Sequence, residues 1–232
     1  MNASKATARI VGALFIVATV AAALSVALLN PLLDDPDYLA KLSADEGRVV
    51  LATLLDLTTA AAVIGIAVMF YPVLRQRSEG LALGYVGARI VEGTVIVISA
   101  LGSLLLLTSS QEYVQATAAD AAGFQPLGTV LLKARDWTDL LGTMLAFGVS
   151  AVILNTLLYQ TKLVPRFLSI WGLVGAALIL VASVLGLSGE SPTSTSMVLL
   201  ILPIAVNEMV LAVWLIIKGF SPDARAAPPA TG

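Results

Sequence analysis

The sequence contains no cysteine and no histidine. Without cysteine there are no disulfide bonds, thiolate nucleophiles or cysteine-held metal ions. Without histidine there is no imidazole to ligate zinc or haem, and no imidazole base for a catalytic triad. Much of the usual chemistry of enzyme sites is therefore excluded, and we expect no cofactor. Only a metal ion held by carboxylates is left open.

Charged residues are also scarce. They make up 12% of the 232 residues, whereas a soluble domain carries about 25%. Hydrophobic residues make up 58% and the mean hydropathy is +0.94, which excludes a disordered chain. The formal charge is only −2, so no basic field attracts nucleic acid and we expect no such partner. This composition indicates an integral membrane protein whose partner is the lipid bilayer.

Six apolar segments are long enough to cross a bilayer, whose core of about 30 Å needs about 20 residues of helix. They are Ile10–Leu29, Arg48–Tyr71, Leu81–Thr108, Trp137–Tyr159, Phe167–Leu187 and Met197–Ile217. The sequence therefore predicts an all-α bundle of six transmembrane helices, forming one domain over residues 1–220. We expect a disordered cytoplasmic tail at residues 221–232. Asn30-Pro31 predicts the end of the first helix, because a residue before proline avoids the helical conformation.

The basic residues predict the orientation of the bundle, because they favour cytoplasmic loops. Eight of them fall on one side: Lys5, Arg9, Arg75, Arg77, Lys162, Arg166, Lys218 and Arg225. Four fall on the other: Lys41, Arg48, Lys133 and Arg135. We therefore expect both termini in the cytoplasm of a multi-pass protein of the cell membrane. The first segment could instead be a signal peptide, but its length exceeds the roughly 7–15 residues of a signal core. An uncleaved helix is favoured, while cleavage after the small residues near Ala21–Ser25 is left open.

Ionisable residues within the predicted spans are the candidate functional residues, because such groups are costly in a membrane and often mark function. Together with one neutral neighbour, Asn207, they are Asp56, Arg89, Glu92, Arg135, Asp136, Asp139 and Glu208. Arg89 and Glu92 are three residues apart and Arg135 and Asp139 are four apart, so each pair can meet on its helix. The side chains near the helix end, Arg135, Asp136 and Asp139, can also reach interfacial water.

Small residues predict which way the acidic side chains point. Gly80, Gly84, Ala88 and Glu92 follow at intervals of four, a ridge along which membrane helices approach closely. Glu92 is therefore expected to face protein. Similarly, one polar and small stripe is predicted on the fourth span, formed by Asp139, Thr143, Ala146 and Ser150.

The charge and depth of these residues give the sharpest hypothesis. Glu92 and Glu208 each lie 11 residues into their spans, at a depth of roughly 16 Å, and Pro203 allows a kink beside Glu208. The set holds five carboxylates against two guanidiniums, a net charge of −3 if all are ionised. Because unpaired buried carboxylates take up protons, at least one of Glu92, Glu208 and Asp56 is predicted to be protonated at neutral pH or to bind a cation.

Four stretches carry a resemblance to a known family. They are Ala8–Ser25, Ala82–Gly93 (ALGYVGARIVEG), Ala134–Trp137 (ARDW) and Asn207–Phe220 (NEMVLAVWLIIKGF). With these motifs the chain, over nearly its whole length, resembles an uncharacterised bacterial membrane family known as domain of unknown function 4386. The resemblance implies no activity. It implies only that the matching positions belong together: Arg89, Glu92, Arg135, Asp136, Trp137, Asn207 and Glu208.

Three functions are compatible with this sequence. The first is a small proton- or cation-coupled transporter or permeation protein, suggested by carboxylates near mid-depth. The second is a non-catalytic membrane sensor or a module that binds a partner. The third, less favoured, is an intramembrane enzyme that uses carboxylates, with magnesium or manganese as a conceivable metal. A purely structural role is also open, in which Arg89, Glu92 and Glu208 fix the helix register. The sequence identifies neither the ligand nor the oligomeric state.

Overall fold

The computed structural model describes residues 3–190 and 194–221, and within these ranges the chain contains helices and turns but no strand. The α-helices are α1 (Ala3–Leu33), α2 (Tyr38–Ala44), α3 (Glu46–Leu74), α4 (Glu79–Gln115), α5 (Ala118–Ala121), α6 (Phe124–Asp139), α7 (Phe147–Thr161), α8 (Arg166–Leu187) and α9 (Thr195–Ile217). A π-helical segment, Leu140–Ala146, joins α6 to α7 without a break. The predicted all-α fold is confirmed.

Six helices are long and apolar enough to cross a membrane. They are α1, α3, α4, the continuous helix Phe124–Thr161 formed by α6, the π segment and α7, then α8 and α9. The chain is thus a multi-pass membrane protein, and its exposed leucine and valine side chains suit a lipid bilayer. The tail predicted at residues 221–232 lies, from residue 222 on, outside the described residues.

The six spans pack in a closed ring around a common interior. Each spanning helix contacts the next along the chain, and α9 returns to contact α1. Two glycines allow the backbones of neighbouring helices to approach closely. A Cβ atom on Gly12 of α1 would lie 2.6 Å from the carbonyl oxygen of Ala212 on α9, and one on Gly175 of α8 would lie 2.9 Å from the Cα atom of Ile204 on α9. Because no larger side chain fits at these points, the small residues permit the ring to close.

The ring has two distinct ends. With six spans, the first and last described residues, Ala3 and Ser221, lie at one end, here called the proximal end, which also holds the turns α3–α4 and α7–α8. The opposite, distal end holds α2, α5 and the first turns of α6. An apolar core fills the proximal half, and its fully buried members include Phe15, Phe70, Leu157 and Leu215. A smaller core forms beneath α2 at the distal end.

The first helix does not end at Asn30-Pro31, so that prediction was wrong. Helix α1 continues through Pro31 to Leu33. Proline removes one backbone N–H, and the helix tolerates this because Pro31 lies in its last turn, two residues before its end. In addition, the Arg48 guanidinium donates a hydrogen bond of 3.3 Å to the carbonyl of Leu28 in the preceding turn.

The fourth span also differs from its prediction. It begins at Phe124 rather than Trp137, and its π segment rotates the following residues around the helix axis relative to an α-helix. The predicted stripe is therefore wrong in its middle. Thr143 is exposed, whereas Gly142, one position earlier, is buried against Val95 of α4 and Ser150 is buried further along. No pattern of residue types in this part of the sequence signals the change of helical period.

Candidate functional site

Helix α4 carries two of the candidate residues into the ring interior. Its buried stripe runs through Ala82, Tyr85, Arg89 and Glu92, at the intervals of three and four that align side chains on one face. Glu92 faces protein as expected, but the reason given from the small-residue ridge was wrong. Gly80 and its partner in the ridge, Gly84, are exposed. The tight contact of this helix lies at Gly93, where a Cβ atom would meet Ile64 of α3 at 2.8 Å.

Arg89, Glu92 and Glu208 form one hydrogen-bonded group, here called the central cluster. Nη1 of Arg89 donates to both carboxylate oxygens of Glu92, at 3.1 and 3.2 Å. Nη2 donates to Oε1 of Glu208 at 3.2 Å. The side chains are 2% exposed for Arg89, 6% for Glu92 and 17% for Glu208. Because α4 and α9 are not neighbours in the ring, the guanidinium bridges the interior itself.

Three aromatic rings surround the guanidinium. The Arg89 Cζ atom lies 5.1 Å from the ring centroid of Phe147 on α7, 5.6 Å from that of Tyr85 on α4 and 6.0 Å from that of Phe15 on α1. Rings within about 6 Å of a cation attract it through their π electrons. Arg89 therefore contacts side chains of α1, α7 and α9. Sequence reasoning missed Phe15 and Phe147, because a lone phenylalanine in an apolar span carries no distinguishing signal.

The central cluster holds two carboxylates and one guanidinium, a net charge of −1 if all three are ionised. Ser150 of α7 lies beside the Glu92 carboxylate; its hydroxyl donates to the backbone carbonyl of Phe147 at 2.8 Å. Among the described residues, Nε of Arg89 has no hydrogen-bond partner. One proton or cation would cancel the excess negative charge and leave the arginine paired. Uptake and release of such a charge is the chemistry that this arrangement can perform.

Asn207 adjoins the central cluster in sequence but makes a different contact. Its Nδ2 atom donates a hydrogen bond of 3.0 Å to the backbone carbonyl of Leu168 on α8. This bond fixes the rotation of α9 at the position before Glu208. Pro203, five residues before Glu208, lies inside α9 and removes one backbone hydrogen bond of that helix. Asn207 is thus a positioning residue for Glu208.

Arg135 and Asp139 form a second group nearer the distal end, here called the distal group. Nη1 of Arg135 lies 3.5 Å from Oδ2 of Asp139, a loose ion pair, and the Ser99 hydroxyl donates to Oδ1 of Asp139 at 3.0 Å. Ser99 follows Glu92 by seven residues on α4, which places this pair roughly 10 Å from the central cluster along the helix axis. Asp136 pairs instead with Lys133, at 3.0 Å on the surface.

Asp56 of α3 belongs to the distal group. It faces Ser25 of α1 and lies within electrostatic range of Arg135 and Asp139. The candidate residues are therefore not brought to a single point. Arg89, Glu92 and Glu208 meet at the centre, Asp56, Arg135, Asp136 and Asp139 lie towards the distal end, and Asn207 contacts a backbone carbonyl on α8.

A cavity of about 580 Å³ opens beside the distal group and is here called the distal cavity. Its walls come from the end of α1, from α6 and the π segment, and from the turn after α8. Six of its lining residues are ionisable: Asp34, Lys133, Arg135, Asp136, Asp139 and Glu190. Four acidic and two basic side chains give these walls a net charge of −2. Within residues 3–190 and 194–221, no three or more acidic, histidine or cysteine side chains are grouped to hold a metal ion.

Comparison with known proteins yields one match. The family model described as Domain of unknown function (DUF4386) matches residues 10–219, a range that contains all of the candidate residues. No curated protein and no solved structure matches the chain.

Proposed function

Because this chain belongs to the family described as Domain of unknown function (DUF4386), whose description assigns no activity, we propose a function from the geometry of its two charged groups. The resemblance noted in the sequence is confirmed by that membership. Our proposal is a membrane transport protein in which the distal cavity admits a small polar solute. The central cluster takes up a proton or cation as the solute passes.

The observation that carries this proposal is the order of features along the ring interior. The distal cavity opens at one end, the Arg135–Asp139 pair lies on its wall, and the central cluster follows roughly 10 Å further in. Beyond it the proximal half is filled by apolar side chains. Ionisable groups that line the interior of a membrane bundle typically mark ion and substrate pathways. A cavity open at one end and closed by ion pairs suits a transporter in one of its alternating states.

The excess carboxylate of the central cluster supports the coupling role. One guanidinium serves two carboxylates, so protonation of either Glu92 or Glu208 leaves Arg89 paired with the other. Protonation of Glu208 in particular would weaken the link between two helices, because Arg89 and Glu92 both lie on α4, whereas Glu208 lies on α9. We propose that this weakening opens the interior between α4 and α9. From the distribution of basic residues, we further propose that the proximal end faces the cytoplasm and the distal cavity faces the outside.

Proton movement in proteoliposomes tests the proposal. Purified protein is reconstituted with a pH-sensitive dye inside the vesicles, and small amino acids, amines, organic acids and sugars are added in turn. At least one solute class should drive an internal pH change that Glu92→Gln and Glu208→Gln abolish. Glu112→Gln, at an exposed position on α4, is the matched control and should behave like the wild type. Folded protein that moves neither protons nor any of these solutes would contradict a transport function.

A second candidate, a membrane sensor, is favoured by one specific observation. The central cluster is buried and its groups are mutually paired, while the proximal half is closed by apolar packing. A receptor needs only a cavity open to one side and no pathway beyond it. Binding of a solute without any flux, together with a membrane partner that co-purifies with the protein, would favour the sensor over the transporter. No contact among the described residues specifically favours the enzyme alternative.

A further inference from the structure

Resting on the proposed function, we infer that the solute of the distal cavity is a zwitterion, with an ammonium group at one end and a carboxylate or phosphate at the other. The inference depends on two features of the cavity lining: one buried guanidinium with few partners, and two carboxylates that have no basic partner among the described residues.

The first feature is Arg135, which lines the cavity and yet is only 8% exposed. Its one ion pair in the described part of the chain is the 3.5 Å contact with Asp139. That distance is longer than the roughly 2.7–2.9 Å of a strong charge-assisted hydrogen bond. Nε of Arg135 has no hydrogen-bond partner among the described residues. A guanidinium carries five N–H donors, so this side chain retains the capacity to bind a planar carboxylate or a phosphate.

The second feature is the acidic wall formed by Asp34, just after α1, and Glu190, after α8. In the described ranges neither carboxylate has a lysine or arginine within 4.0 Å; Glu190 accepts one hydrogen bond of 3.0 Å from the Ser196 hydroxyl. These two charges account for the net −2 of the cavity, because Lys133 pairs with Asp136 and Arg135 with Asp139. Trp137 lines the same cavity and offers an aromatic face to a cation.

The two features together select a solute with both charges. A simple anion would bind Arg135 but would meet four carboxylates. A simple cation would satisfy Asp34 and Glu190 and leave the buried guanidinium without a strong acceptor, which is costly. A zwitterion offers one group to the guanidinium and one to the unpaired carboxylates. The same chemistry occurs in a free amino acid, in phosphoethanolamine and in the headgroup of phosphatidylethanolamine.

Binding measurements on the purified full-length protein test this inference. Four small probes are compared by calorimetry: glycine and O-phosphoethanolamine, which carry charges of both signs, ethylamine as a cation and acetate as an anion. At least one zwitterion should bind at least about tenfold more tightly than both single-charge probes, the ratio expected when a buried polar group is left unpaired. In a second arm, nanodiscs of phosphatidylethanolamine are compared with nanodiscs of phosphatidylglycerol. If the soluble zwitterion binds more weakly in phosphatidylethanolamine nanodiscs, the headgroup of that lipid occupies the cavity. If it binds equally in both kinds of nanodisc, the natural ligand is a free solute.

Three variants assign the two charges to their walls. Arg135→Gln should weaken zwitterion binding by about tenfold or more and remove the preference over ethylamine, while Arg135→Lys should retain part of that preference. Glu190 lies in an exposed turn, so Glu190→Gln is expected to leave the fold intact. This variant should weaken the binding of the zwitterions and of ethylamine alike. Glu112→Gln, which does not line the cavity, is the control and should bind as the wild type does.

The inference is overturned if ethylamine binds as tightly as the zwitterions and Arg135→Gln leaves the binding of the zwitterions unchanged. That result would still leave a solute-binding membrane protein, so the proposed function would survive. The inference is also overturned if none of the four probes binds to folded protein in either nanodisc. The proton-movement experiment then decides the proposed function separately, because its panel includes other solute classes.

Discussion

Replacement of Arg89 by glutamine is expected to be the most destabilising single change in the central cluster. The guanidinium makes three hydrogen bonds to carboxylates, two to Glu92 and one to Glu208. Hydrogen bonds to charged groups contribute about 1.5–3 kcal/mol each, and removal of one partner of a buried ion pair costs roughly 3–5 kcal/mol. Arg89→Gln also leaves two buried carboxylates without a counter-ion. We therefore expect a loss of about 3–5 kcal/mol in the free energy of unfolding.

Replacement of the two carboxylates should cost less stability than replacement of Arg89, and the loss should increase with the burial and the number of hydrogen bonds of each carboxylate. Glu208 is 17% exposed and accepts one bond, whereas Glu92 is 6% exposed and accepts two. Glu208→Gln should therefore cost less, about 1–2 kcal/mol, than Glu92→Gln. Protein in mixed micelles would be unfolded by sodium dodecyl sulfate and followed by the fluorescence of its three tryptophans. The triple variant that also neutralises Glu92 and Glu208 should regain at least half of the stability lost in Arg89→Gln.

Two results would refute this reasoning. If Arg89→Gln stays within about 1 kcal/mol of the wild type, the value typical of an exposed ion pair, the cluster is not buried in the folded protein. If the triple variant is no more stable than Arg89→Gln alone, the loss comes from packing against the aromatic rings rather than from uncompensated charge.

Three further predictions concern the ring and its ends. Gly175→Ala should destabilise the protein by about 1–3 kcal/mol, because the new Cβ would lie 2.9 Å from the backbone of α9. Gly87→Ala, whose Cβ would meet no other helix within 4 Å among the described residues, should instead raise the free energy of unfolding by up to about 1 kcal/mol. The two variants are compared by thermal unfolding in detergent, and equal effects would contradict the close packing at Gly175. A hydrogen bond from Lys41, outside the spans, lowers the pKa of Asp35 and raises the pKa of Lys41 above its ordinary value of 10.5. This contact therefore stabilises the fold at pH values between the ordinary pKa of aspartate and that of lysine. The stabilisation is lost in strongly acidic solution, where Asp35 is protonated, and in strongly alkaline solution, where Lys41 is deprotonated. NMR of labelled lysine should show the Lys41 pKa falling towards 10.5 in Asp35→Asn, and no change would contradict the pair. Finally, because Phe15 of the first helix lies against the central guanidinium, protein expressed from residues 1–232 should keep this helix. Intact mass spectrometry of that protein should give about 24.0 kDa rather than the smaller mass of a chain cleaved after the first helix.

The six spans could be predicted from the sequence because a bilayer imposes a length and a composition on each helix. The contact between Arg89 and Glu92 could also be predicted, since a spacing of three residues places both side chains on one helix face. The ends of the long helices could not. Helix α4 reaches Gln115 and α6 begins at Phe124, because polar residues beyond the apolar core continue a helix when other elements pack against it.

The contacts between distant helices could not be predicted either. Glu208 lies 119 positions from Arg89. The sequence suggests a group of Arg89, Glu92 and Glu208 only as one alternative, because nothing in a single sequence pairs one buried carboxylate with one arginine rather than another. The aromatic rings of Phe15 and Phe147 carry no pattern that distinguishes them from lipid-facing ones. The distal cavity depends on Asp34 and Glu190, which the sequence presents only as loop residues. The π segment further rotates α7, so that the expected polar stripe is interrupted at Thr143.

The most direct test of the account is the accessibility of single cysteines, which this cysteine-free chain makes simple to introduce. A membrane-impermeant maleimide is applied to sealed vesicles of defined sidedness. Thr129→Cys, in the distal cavity, should react from one side only, and Lys162→Cys, at the proximal turn, only from the other. Ser150→Cys, beside the central cluster, should react from neither side in the absence of solute. Labelling of Ser150→Cys as fast as that of Thr129→Cys, or of Thr129→Cys and Lys162→Cys from the same side, would contradict a bundle that is open at one end and closed at its centre.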